Sequence, residues 1–293
     1  MTSSNLRPRR SVLYMPAANA RALEKAKTIP ADGLIFDLED AVAPDEKESA
    51  RQRAVEAVAA AHQGDYGHRE ITIRCNGLDT AWGSDDLAAA AAAAPAAVVI
   101  PKVNSVAQLQ KISDALDAGG APASTTIWAM IETPTAIFDA RAIAGFERVN
   151  VLIMGTNDLA KELRAALVPG RAPLLHHLAT ALAAARESGK VILDGVYNQV
   201  VNAEGFLAEC TQGSEMGFDG KTLIHPSQVG PANQVWSPSA EEVESAQRTI
   251  DAFTEAEAEG QGVVVVDGRM VENLHVDNAR RVLATADAIA TLG

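Results

Sequence analysis

From Ser11 to His225 the chain states one theme eight times, a short apolar run of β type followed by an alanine-rich stretch with apolar residues at helical spacing. The runs are SVLYM (Ser11 to Met15), GLIFDL (Gly33 to Leu38), EITIRC (Glu70 to Cys75), AVVIPKV (Ala97 to Val103), TIWAMIE (Thr126 to Glu132), VNVLIMG (Val149 to Gly155), VILDGVY (Val191 to Tyr197) and GKTLIH (Gly220 to His225). Helical patterns fill the intervals: Asn19 to Lys27, Asp45 to Ala61, Ser84 to Ala94, Val106 to Ala118, Pro134 to Ala144, Leu174 to Ser188 and Glu204 to Met216. Strands alternating with helices imply a parallel sheet, and eight such units are what a closed TIM (β/α)8 barrel requires. A doubly wound open sheet is the alternative. Against it, the first run leads into MPAANAR, which has no Gly-rich dinucleotide fingerprint, and no GxxxxGK[ST] loop occurs.

Beyond Pro226 the theme stops. Ser239 to Glu259 reads as a long helix opened by the N-cap pattern SPSAEE. Two β-type segments around Asp267-Gly268 follow, then a helix from about Val276 to Ala290. The chain thus divides into a barrel over residues 1–235 and a C-terminal appendage over 236–293. The hairpin has little to bury alone, so it is expected to act as a lid on a barrel mouth or a neighbouring subunit.

Composition narrows the partners. With 47% apolar residues in 293, the chain can bury a large core. A net charge of −13 excludes nucleic acid and anionic membrane surfaces as natural partners. Two cysteines, Cys75 and Cys210, are too few for a disulfide framework or a Cys-ligated zinc site and read as reduced and structural. The start, MTSSNLRPRRSV, lacks an apolar signal region, and no apolar run approaches about 18 residues, so a cytoplasmic location is expected.

In a barrel of this type the chemistry sits at the C-terminal strand ends. The residues closing the runs are Tyr14, Glu39 and Asp40, Arg74 and Asn76, Lys102, Glu132, Asp158, Asp194 and His225. So many polar groups at buried strand ends point to a site, with a structural salt-bridge network as the alternative for any one of them. AMIET (Ala129 to Thr133) and IMGTND (Ile153 to Asp158) each end on a carboxylate. On neighbouring parallel strands, about 5 Å apart, Glu132 and Asp158 can hold one hard cation, and a site with so few protein ligands suits Mg2+. Both could instead be helix N-caps. Arg74 offers a planar fork for a substrate carboxylate or enolate oxygen, with Glu39 and Asp40 orienting it or metal-bound water. His225 can line the site or cap the turn before Pro226. No GxSxG elbow and no HExxH pair occurs, so the chemistry is expected to run through metal and charge.

The motifs SVLYMPAANARALEKA, FDLEDAVAPDEK, IRCNG, IPKV, AMIETP and GTNDLAKEL together resemble the citrate lyase β subunit and malyl-CoA lyase family, of the HpcH/HpaI aldolase group, from about Arg10 to the last helix. DGVYN, MGFDGKTLIHP and VDGRMVENLH are most similar to its (3S)-malyl-CoA thioesterase branch. The resemblance implies Glu132 and Asp158 as Mg2+ ligands and Arg74 as the stabiliser of an oxo-acid or enolate oxygen. It further implies backbone amides near Asn157 and Asp158 for the acid carboxylate, Tyr14 against the coenzyme A adenine, and Lys25 at its phosphates. Asn19 stands where relatives often carry an arginine, and Arg21 is the candidate replacement. Glu272 occupies the position of a lid aspartate that acts on the neighbouring subunit. It can activate water against a thioester or take over the aspartate's proton exchange.

The resemblance also implies that β subunits acting on a carrier protein lack this lid, so its presence favours a free CoA thioester. The expectation is a Mg2+-dependent enzyme on a short hydroxy-dicarboxylyl-CoA, assembled as a homotrimer or homohexamer. Hydrolysis of malyl-CoA leads, and C–C cleavage to acetyl-CoA and an oxo-acid is the alternative. A CoA-independent oxo-acid aldolase and a non-enzymatic binding protein are the other classes.

Overall fold

The computed structural model describes residues 7–292. Two compact units emerge, Arg9–Asn233 and the residues from Gln234 on. In the first, the elements are β1 (Ser11–Pro16), α1 (Ala20–Ala26), β2 (Gly33–Asp37), α2 (Lys47–His62), β3 (Glu70–Arg74), α3 (Gly83–Ala93), β4 (Ala97–Ile100), α4 (Val106–Ala118), β5 (Thr126–Ile131), α5 (Pro134–Phe138), α6 (Ala140–Ala144), β6 (Val149–Met154), α7 (Thr156–Leu163), α8 (Leu175–Glu187), β7 (Val191–Asp194), α9 (Ala203–Met216) and β8 (Gly220–Leu223). The eight strands close in sequence order, all parallel, with β1 pairing to both β2 and β8. This is the TIM barrel. Helix α10 (Val229–Val235) then leads into the second unit.

Alternation along the strands decides what fills the barrel. Val12, Ile35, Val99, Trp128, Met130, Val151, Ile153 and Leu193 point inward and form the buried interior, with Tyr14 packed against them. At the N-terminal end Arg9 lies over the Trp128 ring at 5.4 Å and donates to Glu70 at 2.6 and 2.8 Å. That end is therefore sealed, and the opposite end is open for chemistry.

Several boundaries depart from the sequence reading for local reasons. Pro101 ends β4 at Ile100, and Gly195 ends β7 at Asp194, so AVVIPKV and VILDGVY overreach. The single helix expected over Pro134 to Ala144 is two, joined at Asp139. Pro44–Glu46 form a 3-10 turn ahead of α2, and α7 and α10 were not anticipated. Both cysteines are free and buried, and burial pushes the Cys210 thiol up to about 12.

The second unit pairs α11 (Ala240–Ala258) with α12 (Asn273–Ala290) around the hairpin of β9 (Val264–Val266) and β10 (Arg269–Val271). Ser239 and Glu242 close a capping box at the start of α11. Asp267 and Gly268 both have positive φ, 49° and 76°, the type I′ requirement that Asp-Gly meets. Phe253, Val271 and Val276 form a small core, while Val265, Met270 and Leu274 stay largely exposed. No helix among the described residues is long and apolar enough to cross a membrane.

Candidate active site

Extending the inward alternation one step past the apolar residues gives the open end its chemistry. Ile35 leads to Asp37, Thr72 to Arg74, and Met130 to Glu132, and the register sets Asp37 directly beside Arg74. A pocket of about 310 Å3 opens here, lined by Tyr14, Asp37, Arg74, Glu132, Asn157 and Asp158 among others.

Arg74 is held rigidly. Its Nε and Nη2 donate to the two oxygens of Asp37 at 2.6 and 2.7 Å, Nη1 lies 2.8 Å from Glu39 and 3.4 Å from Asp40, and the guanidinium sits 4.8 Å above the Tyr14 ring. Burial works against its charge, yet Asp37 outweighs that and holds Arg74 firmly protonated. Burial also raises the Tyr14 phenol well beyond its usual range, so Tyr14 stays neutral. Glu39 is pushed up to about 8 by burial, only partly offset by Arg74 and reinforced by Asp40, Glu132 and Asp37. Three acids share one guanidinium.

One expectation changes here. The principal clamp on Arg74 is Asp37, which the sequence reading passed over, and Glu39 and Asp40 are its minor partners. Tyr14 lies beneath the Arg74 guanidinium and lines the pocket. Lys47, below this group, spends its ammonium on the carbonyls of Leu38 and Glu39 and on Asn76.

Glu132 follows β5 directly and is 3% exposed. Its Oε1 accepts a 2.7 Å bond from the backbone N–H of Lys102, a residue with a positive φ of 49°. A non-glycine residue held there costs about 1 kcal/mol and reads as a built feature. The Lys102 ammonium lies 3.8 Å from Asp158. Burial pushes Glu132 up to about 7, with the Lys102 N–H pulling the other way and Asp158 adding to the rise. Asp158 does not close a strand: β6 ends at Met154, and Asp158 reaches the pocket from the first turn of α7. The N-cap alternative fails for both acids, since Thr133 caps α5 and Gly155 precedes α7.

Five carboxylates, Asp37, Glu39, Asp40, Glu132 and Asp158, gather against two cationic side chains, Arg74 and Lys102. The excess of negative charge suits a divalent cation. Among the described residues no group of three His, Cys, Asp or Glu side chains converges as a metal cluster, so such a cation would have two protein carboxylates at most.

Other candidates lie elsewhere. Asp194 is fully buried and faces away from the pocket, bound to Arg171 at 2.6 and 2.8 Å and to Lys221 at 2.9 Å. It is a structural ion cluster, not part of the mouth. Asn76 is likewise spent on Lys47, Leu38 and Asp86. His225 caps the turn at Pro226, accepting from the Ser227 N–H. Asn19 caps α1 through Ala22, which accounts for it without a ligand, and Arg21 and Lys25 stand one turn apart on the exposed side of that helix. Glu272, in the second unit, is exposed at the start of α12, and its backbone N–H donates to His275. The sequence reading missed Asn198, which pairs with Asn157 beside the pocket.

Comparison with known proteins matches this geometry to a family. Residues 10–226 match HpcH/HpaI aldolase/citrate lyase, and residues 171–290 match a C–C bond lyase of the TIM-barrel fold. The (3S)-malyl-CoA thioesterase of Cereibacter sphaeroides is 50% identical over 98% of this chain and 97% of its own. Citrate lyase subunit beta of Escherichia coli is 36% identical over 96% of this chain and 94% of its own. Coverage that broad takes in most of the second unit, so this segment is shared with citrate lyase subunit beta. Among solved structures, protein CitE from Mycobacterium tuberculosis in complex with magnesium, acetoacetate and coenzyme A superposes with a TM-score of 0.79 at 27% identity, covering 96% of this chain and all of that one. An eight-stranded barrel, an acid-rich mouth built around Arg74 and Glu132, and these matches lead to one conclusion: the chain is an enzyme of the HpcH/HpaI aldolase/citrate lyase family.

Proposed function

We propose that this enzyme hydrolyses the thioester of a short hydroxy-dicarboxylyl-CoA, with (3S)-malyl-CoA as substrate and malate and CoA as products. The supporting observation is the 50% identity to (3S)-malyl-CoA thioesterase along nearly the full length of both chains, joined to a mouth whose carboxylates outnumber its cations. Glu132 and Asp158 are the residues that would hold Mg2+, which supplies positive charge to the acid end of the substrate when bound.

The chain's own residues do the rest. The first turn of α7 leaves the N–H groups of Thr156, Asn157 and Asp158 free of helical partners, a seat for the substrate carboxylate. Arg74, fixed by Asp37 and Tyr14, presents the outer N–H of Nη2 to charge developing on a substrate oxygen at no cost in reorganisation. Arg21 and Lys25 on α1 supply two cations for the phosphates of coenzyme A. Glu272 removes a proton from the water that attacks the thioester carbonyl, the C–S bond breaks, and the thiolate leaves and is reprotonated.

Glu272 belongs to the unit beginning near residue 236, which serves as a lid in trans within a homotrimer or homohexamer. The exposed Val265, Met270 and Leu274 beside it are apolar surface for such a contact. The enzyme is cytoplasmic in this reading.

A second reading has its own support, the C–C bond lyase match and the likeness to citrate lyase subunit beta. The same clamp then stabilises the charge released as the carbon–carbon bond of malyl-CoA breaks, and Glu272 protonates the acetyl-CoA enolate. One incubation with Mg2+ and (3S)-malyl-CoA separates them. Free thiol and malate without glyoxylate support hydrolysis; glyoxylate and acetyl-CoA without free thiol overturn it in favour of the lyase.

A further inference from the structure

Beside the pocket lies a second cleft, of about 440 Å3, walled by the Leu167–Arg171 segment, the loop after β7, and α9. The two cavities share one wall: Thr156, Asn157, Val196 and Asn198 line both. Within that wall the side chains of Asn157 and Asn198 bond reciprocally. Asn157 Nδ2 donates to Asn198 Oδ1 at 3.1 Å, and Asn198 Nδ2 donates to Asn157 Oδ1 at 2.7 Å. Each amide donates one bond to the other and accepts one back, so the pair, exposed along the shared wall, holds together without a charged neighbour.

Its footing is firm on both sides. Asn157 sits in the first turn of α7, and the loop carrying Asn198 is tied down by Gln228, whose Nε2 donates to the Tyr197 carbonyl at 3.0 Å. The space behind the pair differs in kind from the acidic pocket. Its walls are amides and apolar side chains such as Gln199, Asn202, Gln212, Leu167 and Ala208, together with Arg171, 4% exposed and with no acceptor for Nη2. Glu209 and Glu204 also line it, and the former is paired to Lys221 at 2.8 Å. Leu167, Val168, Pro169 and Ala208 give an alkyl group an apolar wall to pack on, and there is room for one.

We infer that the Asn157–Asn198 amide pair is the specificity-determining partition of the active site, closing it to acyl groups that carry an alkyl substituent on the hydroxyl-bearing carbon. This rests on the proposed seating of the substrate carboxylate at the first turn of α7, because that seating puts the neighbouring carbon against Asn157. With the pair intact the acid end is limited to compact acyl groups. With it open, the second cleft joins the pocket and accepts a chain several carbons long.

The test compares wild type, Asn198→Ala and Asn198→Ala/Ala208→Phe with three CoA thioesters that bear hydrogen, methyl or propyl on the hydroxyl-bearing carbon, all with Mg2+. Wild type is expected to lose at least about tenfold in kcat/KM from hydrogen to propyl, the scale of a misfitted alkyl group in a closed pocket. Asn198→Ala should bring the propyl compound to within a few-fold of the unsubstituted one, about tenfold better relative to wild type. Ala208→Phe, which refills the second cleft, should cancel that gain. Equal changes for all three compounds, or an unaltered preference, overturn the inference. If no thioester is turned over by any protein, the proposed function falls, and calorimetric binding of glyoxylate, pyruvate and 2-oxopentanoate then reads the partition independently. Selective gain of 2-oxopentanoate by Asn198→Ala supports it, and the same rank order in all proteins, or no binding at all, removes it.

Discussion

Gly155 and Glu132 compete for the same space. A Cβ built on Gly155 would stand 2.3 Å from Glu132 Oε2 and 2.4 Å from its Cβ, so the absence of a side chain at 155 is what lets this carboxylate occupy the mouth. Gly155→Ala is therefore expected to displace Glu132 while costing the fold only about 1–3 kcal/mol, as overpacking usually does. Titration of Mg2+ followed by the melting temperature checks this: the stabilisation given by Mg2+ should fall far more than the metal-free melting temperature.

Protons and metal compete at Glu132. Burial holds this carboxyl at about 7 in the metal-free protein, and a carboxylate must be deprotonated to ligate. Mg2+ affinity should be flat above about pH 7 and weaken below it, by up to about tenfold per pH unit. Calorimetric titrations across that range read the break directly, and Glu132→Gln should abolish both the binding and the break.

Asp37→Asn tests the clamp on Arg74. Arg74 would keep Glu39 and Asp40 but lose a buried two-point partner, a loss of about 3 kcal/mol in stability. Activity should fall by about 10²-fold or more in kcat, because a loosened cation no longer meets the developing charge. Arg74→Lys, which cannot reproduce the fork, should fall at least as far. A Tyr14→Phe variant keeps the ring under the guanidinium and should retain most of kcat.

The Arg171–Asp194–Lys221 cluster should matter to stability and not to substrate binding. Asp194→Asn leaves two buried cations short of charge, worth about 3–5 kcal/mol in a denaturant titration with KM nearly unchanged. Despite the burial that opposes it, Lys221 and Arg171 hold the Asp194 carboxyl below its ordinary range. Its contribution is thus complete above that range and lost as pH falls through the lowered pKa, so the variant should erase part of the acid-side loss seen in wild type.

Glu272→Gln should abolish turnover by hydrolysis or cleavage alike while leaving Mg2+ binding intact, and light scattering should find an oligomer. Full activity in a monomer would remove the lid from the reaction.

The barrel was legible because eight β-type runs separated by helical spacing admit few other closures. The site was legible only in part, and strand parity accounts for two of the misplaced acids. Ile35 faces inward, so Asp37 does too; Leu193 faces inward, so Asp194 must face the helices. Reading strand ends without that parity promoted Asp194 to the mouth and skipped Asp37. Asn198 carries no such signal, since it lies in a loop whose path depends on Gln228, far along the chain.

The hold on Glu132 comes from the main chain of Lys102, and that has an evolutionary meaning. An anchor made of a peptide N–H does not draw on the lysine side chain, and the positive φ at 102 keeps out only proline and β-branched residues. Within that limit the ammonium near Asp158 can be retuned or discarded without loosening the carboxylate beside it. A site arranged this way can change the charge it offers a substrate while its acid stays where it is.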